Sequence, residues 1–429
     1  MGFKLLANIG RRPDWRQVFL LALVVLILNA NMAHADELYY RLSSQLSADY
    51  DNNYSLTKTN QRSVRKAGHR VEAEWGAESP NRLVSLSARN DFSTYRGDVT
   101  TDEGIKDLSS SNNQYYSGTF RWDLSETSTV SATADYQQDT TSADEFIELF
   151  GGLVGTGRDL EKERQTLNLS LSHRWTISPI WQLVSDGSVM RLDYDDADNT
   201  ALIAYDYWTM SASVYRLMTE RFDLYSSLAF SRFRPKPSDT VIQEMNSVRS
   251  DTANVNVGLR WQLSETQSTD ISLGYRESRF KRFSAMSSEE RETDNGGVFT
   301  VNYLRAMESG DANLTLSRRL SPASDGRMTE TDTLGLGWRY LASEKSEHRL
   351  GANARRERER GSAAATMDES FQQLSYAFAY RIRPQHRLGV TVRYRWYEDG
   401  SNENSTVGGR AEGAGLRLTW SWSSRKLPW

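Results

Sequence analysis

The chain has 429 residues, no cysteine and a formal net charge of −4, and it carries 20 Tyr, 12 Trp and 14 Phe. A chain without cysteine cannot be a secreted domain that is held together by disulfides. The small negative charge argues against a nucleic-acid partner, because proteins that bind nucleic acids usually carry a basic surface.

The first 35 residues have the layout of a secretory signal peptide. A basic segment precedes an apolar run of 11 residues, 18–28, and Ala33-His34-Ala35 then forms a small-residue cleavage site. The basic residues are Lys4, Arg11, Arg12 and Arg16. The alternative is a membrane anchor, but a spanning helix needs about 20 apolar residues. We therefore predict cleavage after Ala35 and a single domain over residues 36–429.

Alternation of apolar and polar residues dominates the chain after residue 36. In residues 130–136, Val130, Ala132, Ala134 and Tyr136 share one parity, and the residues between them are polar or small. A side-chain period of two predicts β-strands. The same pattern recurs at 167–171, 253–261, 334–338, 374–382 and 416–422.

Three features separate this pattern from a β-sandwich, which also alternates. The predicted strands run about nine residues or more, whereas sandwich strands usually have about five or six. Their apolar faces end in aromatic residues such as Trp122, Trp175 and Trp261. Short connections alternate with long polar ones, which include 96–113, 235–250, 283–296 and 399–410. These features are typical of an all-β, antiparallel up-and-down transmembrane barrel with short periplasmic turns and longer external loops.

The strand count is predicted to be 18. The strand centres lie near residues 45, 72, 87, 119, 132, 170, 185, 209, 227, 257, 273, 301, 315, 336, 352, 377, 391 and 418. Weak alternation near 185 and 209 leaves 16 strands open. An even count places both termini in the periplasm, as in single-chain outer-membrane barrels.

One six-residue motif occurs twice, as WDLSET at 122–127 and as WQLSET at 261–266. A catalytic motif would normally occur once, whereas an architectural joint is needed several times. We interpret each copy as a periplasmic hairpin turn that starts at an outward Trp and returns to an outward Tyr, Tyr136 or Tyr275. Weaker copies lie at 340–344 and 380–384.

The predicted mature chain has four histidines, His69, His173, His348 and His386. None of them belongs to a cluster with metal-ligand spacing. His348 and His386 fall at turn ends, and His173 shares the parity of Leu171 and Trp175, which favours a girdle residue over a general base. We predict no catalytic residues, no metal site and no cofactor. A lumenal hydrolase that depends on His69 or His173 remains the alternative.

The long connection 139–160 contains one apolar stretch, Phe146, Ile147, Leu149 and Phe150. This stretch could fold back into the lumen as a constriction. The alternative is an external cap or a tip that dips into lipid.

Arginines occupy the predicted lumen face of the late strands, with little besides Glu357 to oppose them. They are Arg319, Arg339, Arg349, Arg355, Arg381, Arg387, Arg393, Arg395 and Arg417. A barrel of this size has a water-filled interior, so such a wall would favour the passage of anions. The alternative is cross-strand ion pairing, which we favour for the early strands and leave open for the late ones.

Arg356, Arg358 and Arg360 share an outward parity at the loop end of one predicted strand. Guanidinium groups recognise phosphates through paired hydrogen bonds, so contact with lipopolysaccharide is expected. The alternative is a loop in which Glu357 and Glu359 neutralise these arginines.

The motif Tyr50-Asp51-x-Asn53 ends the first strand and is followed by a full-length alternating barrel and the terminal Trp429. The chain thereby resembles a family of outer-membrane β-barrel porins that are often encoded with exopolysaccharide synthesis or exosortase systems. The stretch Gly415-x-x-Leu418-x-Trp420 also resembles the assembly signal of such barrels.

The resemblance implies a porin-like barrel that exports or displays a polysaccharide and has no catalytic residues. We expect a passive conduit for an exopolysaccharide or for anionic solutes, located in the outer membrane. The expected partners are lipid, lipopolysaccharide and the barrel-assembly machinery, together with a polysaccharide or periplasmic export components. The alternative function is a structural or docking barrel without an open channel.

Overall fold

The computed structural model describes residues 37–54, 56, 61–101, 104–107, 110–140, 163–194, 203–236, 248–282, 290–322, 328–360, 368–399, 409–424 and 427–428. No helix in this part of the chain is long and apolar enough to cross a bilayer. The predicted signal peptide lies outside the described residues.

Nearly all of the described chain is β-strand. The first strands are β1 (Glu37–Asp51), β2 (Val64–Ser79), β3 (Arg82–Arg96), β4 (Asp98–Thr101), β5 (Gly104–Asp107), β6 (Ser111–Ser125), β7 (Ser128–Thr140), β8 (Glu163–Ser178), β9 (Trp181–Tyr194) and β10 (Ala204–Thr219). They are followed by β11 (Phe222–Lys236), β12 (Val248–Ser264), β13 (Gln267–Arg282), β14 (Glu290–Met307), β15 (Gly310–Pro322), β16 (Met328–Leu341), β17 (Ser346–Arg360), β18 (Asp368–Arg383), β19 (His386–Asp399), β20 (Gly409–Ser423) and β21 (Leu427–Pro428).

Eighteen of the described strands, β1–β3 and β6–β20, form one closed antiparallel barrel. The barrel closes where β1 pairs with β20, for example Leu46 with Trp420 and Asp51 with Gly415. The short β21 continues this seam along β1, and β4 with β5 forms a separate small hairpin. The predicted fold and strand count are therefore confirmed, including the two weakly alternating strands, which are β9 and β10.

Short turns and long connections alternate around the barrel, as predicted. At one end, which we call the turn end, two to four residues join the strands, such as 220–221 and 342–345. At the other end, the loop end, the connections are longer. The predicted loop 283–296 is wrong in its second half, because β14 begins at Glu290. Residues 290–296 are polar on both faces, since this part of the strand lies beyond the apolar belt.

The outer face of the barrel is apolar and the inner face is polar. Met210, Leu228, Val257 and Leu273 are each more than 60% exposed. Apolar exposure on this scale would be a liability in water and suits a lipid environment. Aromatic residues border the belt at the turn end, with Trp122, Trp175, Trp181, Trp261, Trp338 and Trp420 on the outer face.

The repeated motif forms the turn joints. The backbone N–H of Thr127 donates to Ser125 Oγ at 3.3 Å, and Thr266 donates to Ser264 Oγ at the same distance. The weaker copy at 340–344 does the same, because Lys345 N–H donates to Ser343 Oγ at 3.2 Å. A hydroxyl that accepts from the amide two residues ahead stabilises a tight turn. The interpretation of the motif as a structural joint is therefore confirmed.

The turn joints are also linked to one another. The Thr127 carbonyl accepts a hydrogen bond from Thr176 N–H at 2.7 Å, and the Thr266 carbonyl accepts one from Ala306 N–H at 2.7 Å. The same bond recurs at every described hairpin turn, so each turn is tied to the next hairpin around the rim.

Candidate functional site

The turn-side half of the lumen carries an excess of positive charge on β15–β19. Six inward residues make up this turn-side patch: Arg339, Arg349, Arg381, Arg387, Asp311 and Glu347. Arg339 Nε donates to Asp311 Oδ2 at 2.7 Å, while Arg349 and Arg387 share Glu347. Among the described residues, Arg381 pairs with no carboxylate. Four guanidinium groups thus face two carboxylates.

The turn-side patch is open to water. The side chains of Arg339, Arg349 and Arg387 are 46%, 56% and 42% exposed. Charges in a water-filled lumen act on solutes that pass close to them.

The loop-side half of the lumen is more closely packed than the turn-side half. All buried polar or charged side chains among the described residues lie in this half, and we call them the loop-side layer. They are Asp51, Asn53, Ser93, Ser111, Asp139, Arg164, Ser231, Ser250, Thr252, Arg276, Ser278, Ser321, Thr329, Glu330, Thr331, Glu357, Glu359, Glu369, Gln373 and Arg395. The lumen is therefore wet at one end and packed at the other.

One part of the loop-side layer is the end of β1 together with the two residues that follow it, residues 50–53, which we call the seam strap. Asp51 Oδ2 accepts a hydrogen bond from Arg393 Nη2 at 3.0 Å and a second one from Arg395, whose side chain is fully buried. Asn53 Nδ2 donates to the Glu412 carbonyl at 2.7 Å. The strap therefore ties the first strand to β19 and β20 from inside the barrel.

Gly415 makes room for the seam strap. A Cβ at this position would lie 2.7 Å from Arg393 Nε and 3.0 Å from Asp51 Oδ2. The glycine of the predicted assembly-signal stretch thus also shapes the seam.

The second part of the loop-side layer arises from a split in the sheet. The pairing of β14 with β15 ends at Phe299 and Arg318. By contrast, β13–β14 pairing continues to Glu290, and β15–β16 pairing continues to Pro322 and Met328. Above Arg318, therefore, β15 is not paired with β14, whereas β16 stays paired with β17 as far as Met328 and Arg360. We call residues 318–322 and 328–332 the inner hairpin.

The inner hairpin lies inside the barrel. Met328 belongs to a buried apolar cluster whose other members lie on β9–β13, and the nearest of those strands is three away from β16. A side chain reaches across this gap only through the interior. The other cluster members are Leu192, Tyr205, Phe233, Val248 and Phe280. Both faces of the β16 arm of the hairpin are buried, since Met328, Thr329, Glu330 and Thr331 are each at most 3% exposed.

Ion pairs hold the outer face of the inner hairpin against the inner wall. Arg276 of β13 donates to Asp294 Oδ2 and to Glu330 Oε2, each at 2.8 Å, and it is fully buried. Arg360 Nη2 donates to Glu330 Oε1 at 2.8 Å. Gly296 leaves space for this contact, because a Cβ there would lie 2.9 Å from Arg276 Nη2.

The nine predicted lumen arginines divide between the two halves. Four of them lie in the turn-side patch: Arg339, Arg349, Arg381 and Arg387. The other five lie in the loop-side half, and among these Arg319 is on the inward parity of β15. The loop-side pairs are Arg355 with Glu357, Arg393 and Arg395 with Asp51, and Arg417 with Asp49. The expectation that little besides Glu357 opposes these arginines is wrong. Their partners Asp49 and Asp51 lie on β1, which only the closure of the barrel brings beside β19 and β20.

The early strands carry cross-strand ion pairs, as favoured from the sequence. Arg70 donates twice to Asp91, from Nε at 2.8 Å and from Nη2 at 2.9 Å. Arg41 on β1 forms an ion pair with Glu74 on the adjacent strand β2.

Arg356, Arg358 and Arg360 are not neutralised by Glu357 and Glu359, so that part of the alternative is wrong. Those two glutamates have the opposite parity and are buried on the lumen side. Arg356 Nε instead donates to Asp368 Oδ1 at 2.8 Å, and Arg358 lies 3.7 Å from Glu330. The lipopolysaccharide contact remains a prediction.

The four histidines of the described residues lie on the outer wall. His69 Nε2 is 3.0 Å from Ser44 Oγ, and His173 Nε2 is 3.0 Å from Ser128 Oγ. Both pairs share the outward parity of Leu46 and Leu171. His386 stacks on Trp420 with ring centroids 5.6 Å apart. Within the described residues, no group of three or more His, Cys, Asp or Glu side chains could hold a metal ion.

The predicted constriction residues Phe146, Ile147, Leu149 and Phe150 lie outside the described residues. The segments that fill the lumen are ones that the sequence reasoning missed, the inner hairpin and the seam strap. The weak signal for the hairpin was the run Thr329-Glu-Thr-Asp332, which is polar on both parities.

No protein-family profile matches the chain, and no curated protein matches it by sequence. Solved structures are similar to it in backbone. The F5-1 variant of the FrpB iron transporter from Neisseria meningitidis has a TM-score of 0.50 at 8% identity, over 90% of this chain and 82% of that one. The chain has the fold of an outer-membrane β-barrel.

Two further structures are similar at lower scores. OpdK from Pseudomonas aeruginosa, solved with vanillate, has a TM-score of 0.45 at 11% identity, over 92% of this chain and 100% of that one. The copper transporter OprC has a TM-score of 0.45 at 11% identity and covers 85% of this chain. The chain spans 62% of the length of OprC.

Proposed function

We propose that the protein is a passive, porin-like conduit of the bacterial outer membrane that prefers anionic solutes. The closed 18-strand barrel with an apolar outer belt supports the membrane setting. The observation that carries the anion preference is the turn-side patch, in which four arginines face two carboxylates in open water.

The preference follows from the charge of the patch. A solute anion near Arg349, Arg381 and Arg387 is attracted, whereas a cation at the same place is repelled. Rings or walls of arginine are a recurrent basis of anion selectivity in pores.

The first prediction tests this field with the purified barrel in planar bilayers under a KCl gradient. The wild type should show a reversal potential on the anion-selective side. Arg381→Glu should move it toward cation selectivity, and the combination with Arg349→Glu and Arg387→Glu should move it further. Arg381→Glu is the single substitution that is easiest to interpret, because the replacement of Arg381 breaks no ion pair within the described chain.

A matched control is Arg216→Glu, which makes the same charge change on the outer wall at the turn end, beside Trp181. It should leave the reversal potential unchanged. A triple variant with the wild-type reversal potential would contradict the anion preference. Arg393 and Arg395 are unsuitable for this test, because they hold the seam strap through Asp51.

A second candidate function is a structural or docking barrel without an open channel. The observation that favours it is the loop-side layer, whose buried side chains narrow that end of the lumen. The absence of conductance from folded, heat-modifiable barrel in every variant would support this second function over the conduit.

The finer parts of the proposal concern cargo and partners. We propose an acidic exopolysaccharide as cargo on the basis of the Tyr50-Asp51-x-Asn53 resemblance. A strain that lacks the protein should then retain the polymer inside the cell envelope.

We propose that the barrel-assembly machinery recognises the terminal strand and that lipopolysaccharide contacts Arg356. Amino-terminal sequencing of the membrane protein should begin at Asp36.

A further inference from the structure

We infer that the turn-side half of the lumen holds a binding site for neutral sugars on β10–β13, in which a pyranose ring lies on the ring of Tyr225. This inference rests on the proposed conduit, because a sugar reaches these residues through the lumen. We call the site the tyrosine platform. Its residues are Tyr215, Asp223, Tyr225, Gly258, Arg260 and Asp270.

The tyrosine platform belongs to three neighbouring rows of inward residues. The middle row consists of Tyr215, Tyr225, Gly258 and Ser272. The row on its turn side contains Asp223, Arg260 and Asp270. The row on its loop side consists of Ser213, Ser227, Asn256 and Gly274. Aromatic rings thus lie between charged groups on one side and small hydroxyl or amide groups on the other.

The ring of Tyr225 is held against the barrel wall. A Cβ at Gly258 would lie 2.4 Å from Tyr225 Cζ, so the ring crosses this glycine on the lumen side of the sheet. The hydroxyl donates to Asp270 Oδ1 at 2.8 Å and fixes the far end of the ring. Tyr39 covers Gly76 in the same way but is only 5% exposed, whereas Tyr225 is half-buried. One face of the Tyr225 ring therefore contacts the wall, and the other is directed into the lumen.

Tyr215 and Arg260 extend this surface. The ring centroids of Tyr215 and Tyr225 are 5.0 Å apart, and the ring planes differ by 33°. The Arg260 guanidinium lies 5.1 Å from the centre of the Tyr215 ring, and its Nε donates to Asp270 Oδ2 at 3.4 Å. The side chains of Arg260 and Asp270 are 49% and 30% exposed. Both charged groups are therefore within reach of a solute that lies on the rings.

This combination of groups fits a pyranose sugar. The C–H groups on one face of a sugar ring pack against the negative face of an aromatic ring. The hydroxyls at the edge of the sugar both donate and accept hydrogen bonds, so they need partners of both kinds. Arg260 supplies donors, Asp223 and Asp270 supply acceptors, and the hydroxyls of Ser213 and Ser227 supply both.

The charge of the tyrosine platform favours neutral sugars over acidic ones. Asp223 and Asp270 outnumber Arg260, and all three lie in one row. A sugar carboxylate is therefore repelled here, whereas it is attracted by the turn-side patch on β15–β19. The two walls of the turn-side half thus select solutes of different charge.

The test is equilibrium binding to the full barrel in detergent micelles, measured by saturation-transfer difference NMR. The probes are three neutral hexasaccharides with different linkages: maltohexaose, cellohexaose and isomaltohexaose. At least one of them should bind to the wild type. Tyr225→Leu should weaken this binding by about fivefold or more, which corresponds to about 1 kcal/mol, because it removes the flat aromatic face. Tyr215→Leu is the second variant and should weaken binding as well.

Tyr39→Leu is the matched control, because it removes a ring that also covers a glycine but is almost fully buried. It should leave the affinity unchanged, and heat modifiability shows that each variant is folded. Absence of binding by all three probes would overturn the platform. Wild-type affinity in both Tyr225→Leu and Tyr215→Leu would overturn it too.

An acidic probe tests the charge preference of the tyrosine platform. Hexagalacturonate should show no binding that depends on Tyr225, since Asp223 and Asp270 repel it. If Tyr225→Leu weakened the binding of hexagalacturonate as much as that of the neutral probes, the preference for neutral sugars would be wrong.

Planar bilayers separate the tyrosine platform from the conduit. A hexasaccharide that binds should block the current through the wild type, and it should block Tyr225→Leu less. Sugar binding by a barrel that does not conduct would support the platform and contradict the conduit. An anion-selective current without any sugar binding would support the conduit and contradict the platform.

Discussion

Two glycines in the barrel wall each lie beneath a tyrosine ring. The ring of Tyr39 covers Gly76 and its hydroxyl donates to Glu74 Oε1, while Tyr225 covers Gly258 and donates to Asp270 Oδ1 at 2.8 Å. A ring that lies over a glycine on the neighbouring strand replaces the missing side chain and leaves the hydroxyl in reach of a carboxylate.

The second prediction concerns this contact. Gly258→Ala should lower the unfolding free energy by about 1–3 kcal/mol, the usual effect of overpacking. An added Cβ would lie 2.6 Å from both the Ile271 carbonyl oxygen and the Tyr225 hydroxyl. Urea unfolding in detergent or lipid measures the change.

Gly297→Ala is the control for that experiment, since a Cβ there meets no atom within 4 Å. It should be nearly neutral. If both variants lost the same stability, the cause would be the replacement of any glycine in a strand, and not the loss of space beneath the Tyr225 ring.

At the scale of elements, the seam strap joins strands that lie at opposite ends of the chain. Asp51 and Arg395 are both almost fully buried, and they form their ion pair beneath Asn53. A buried charge that loses its partner is left without solvation, so the strap is strong only while it is complete.

The third prediction is that Asp51→Asn destabilises the barrel by about 3–5 kcal/mol, because two arginines lose their carboxylate. The temperature at which the heat-modifiable band unfolds on a gel reports this loss. Asp251→Asn removes one carboxylate from an exposed pair and should cost less than about 1 kcal/mol. A strap variant as stable as this control would mean that other contacts hold the seam.

At the scale of the whole molecule, the barrel has a water-filled turn-side half and a packed loop-side half. Exposed charges such as Arg349 act over distances that salt limits, whereas the buried pairs around Glu330 are shielded from salt. The two halves should therefore respond differently to ionic strength.

The fourth prediction follows from this difference. Anion preference should fall as KCl rises from about 0.1 M to about 1 M, because the screening length shrinks from about 10 Å to about 3 Å. Reversal potentials at a fixed concentration ratio measure the trend. A preference that is independent of salt would place the selectivity in the buried layer instead of the turn-side patch.

The strand number and the turn joints could be predicted from sequence because both depend on local patterns. A period of two fixes the strands, and Ser125 and Ser264 stabilise their turns with atoms only two residues away. The strands β9 and β10 are the exception, because their weak alternation left a count of 16 open, and only the structure shows both.

The contents of the lumen could not be predicted in this way, because they depend on contacts between distant strands. Asp51 and Arg395 are brought together only when the barrel closes. The run from Thr329 to Asp332 is polar on both parities, which is only a weak signal, and nothing local shows that the pairing of β14 with β15 stops at Phe299.

The linked turns all run in the same direction around the rim. At each described turn the carbonyl belongs to the earlier hairpin and the amide to the later one, from Asn81 with Asp123 to Gln385 with Ser423. Each hairpin thus holds the next one in register at the turn end. Ser424 then donates to the Leu42 carbonyl on β1. The last strand to be made is therefore aligned by the first, and an error of register in any hairpin would be carried forward to the closing step.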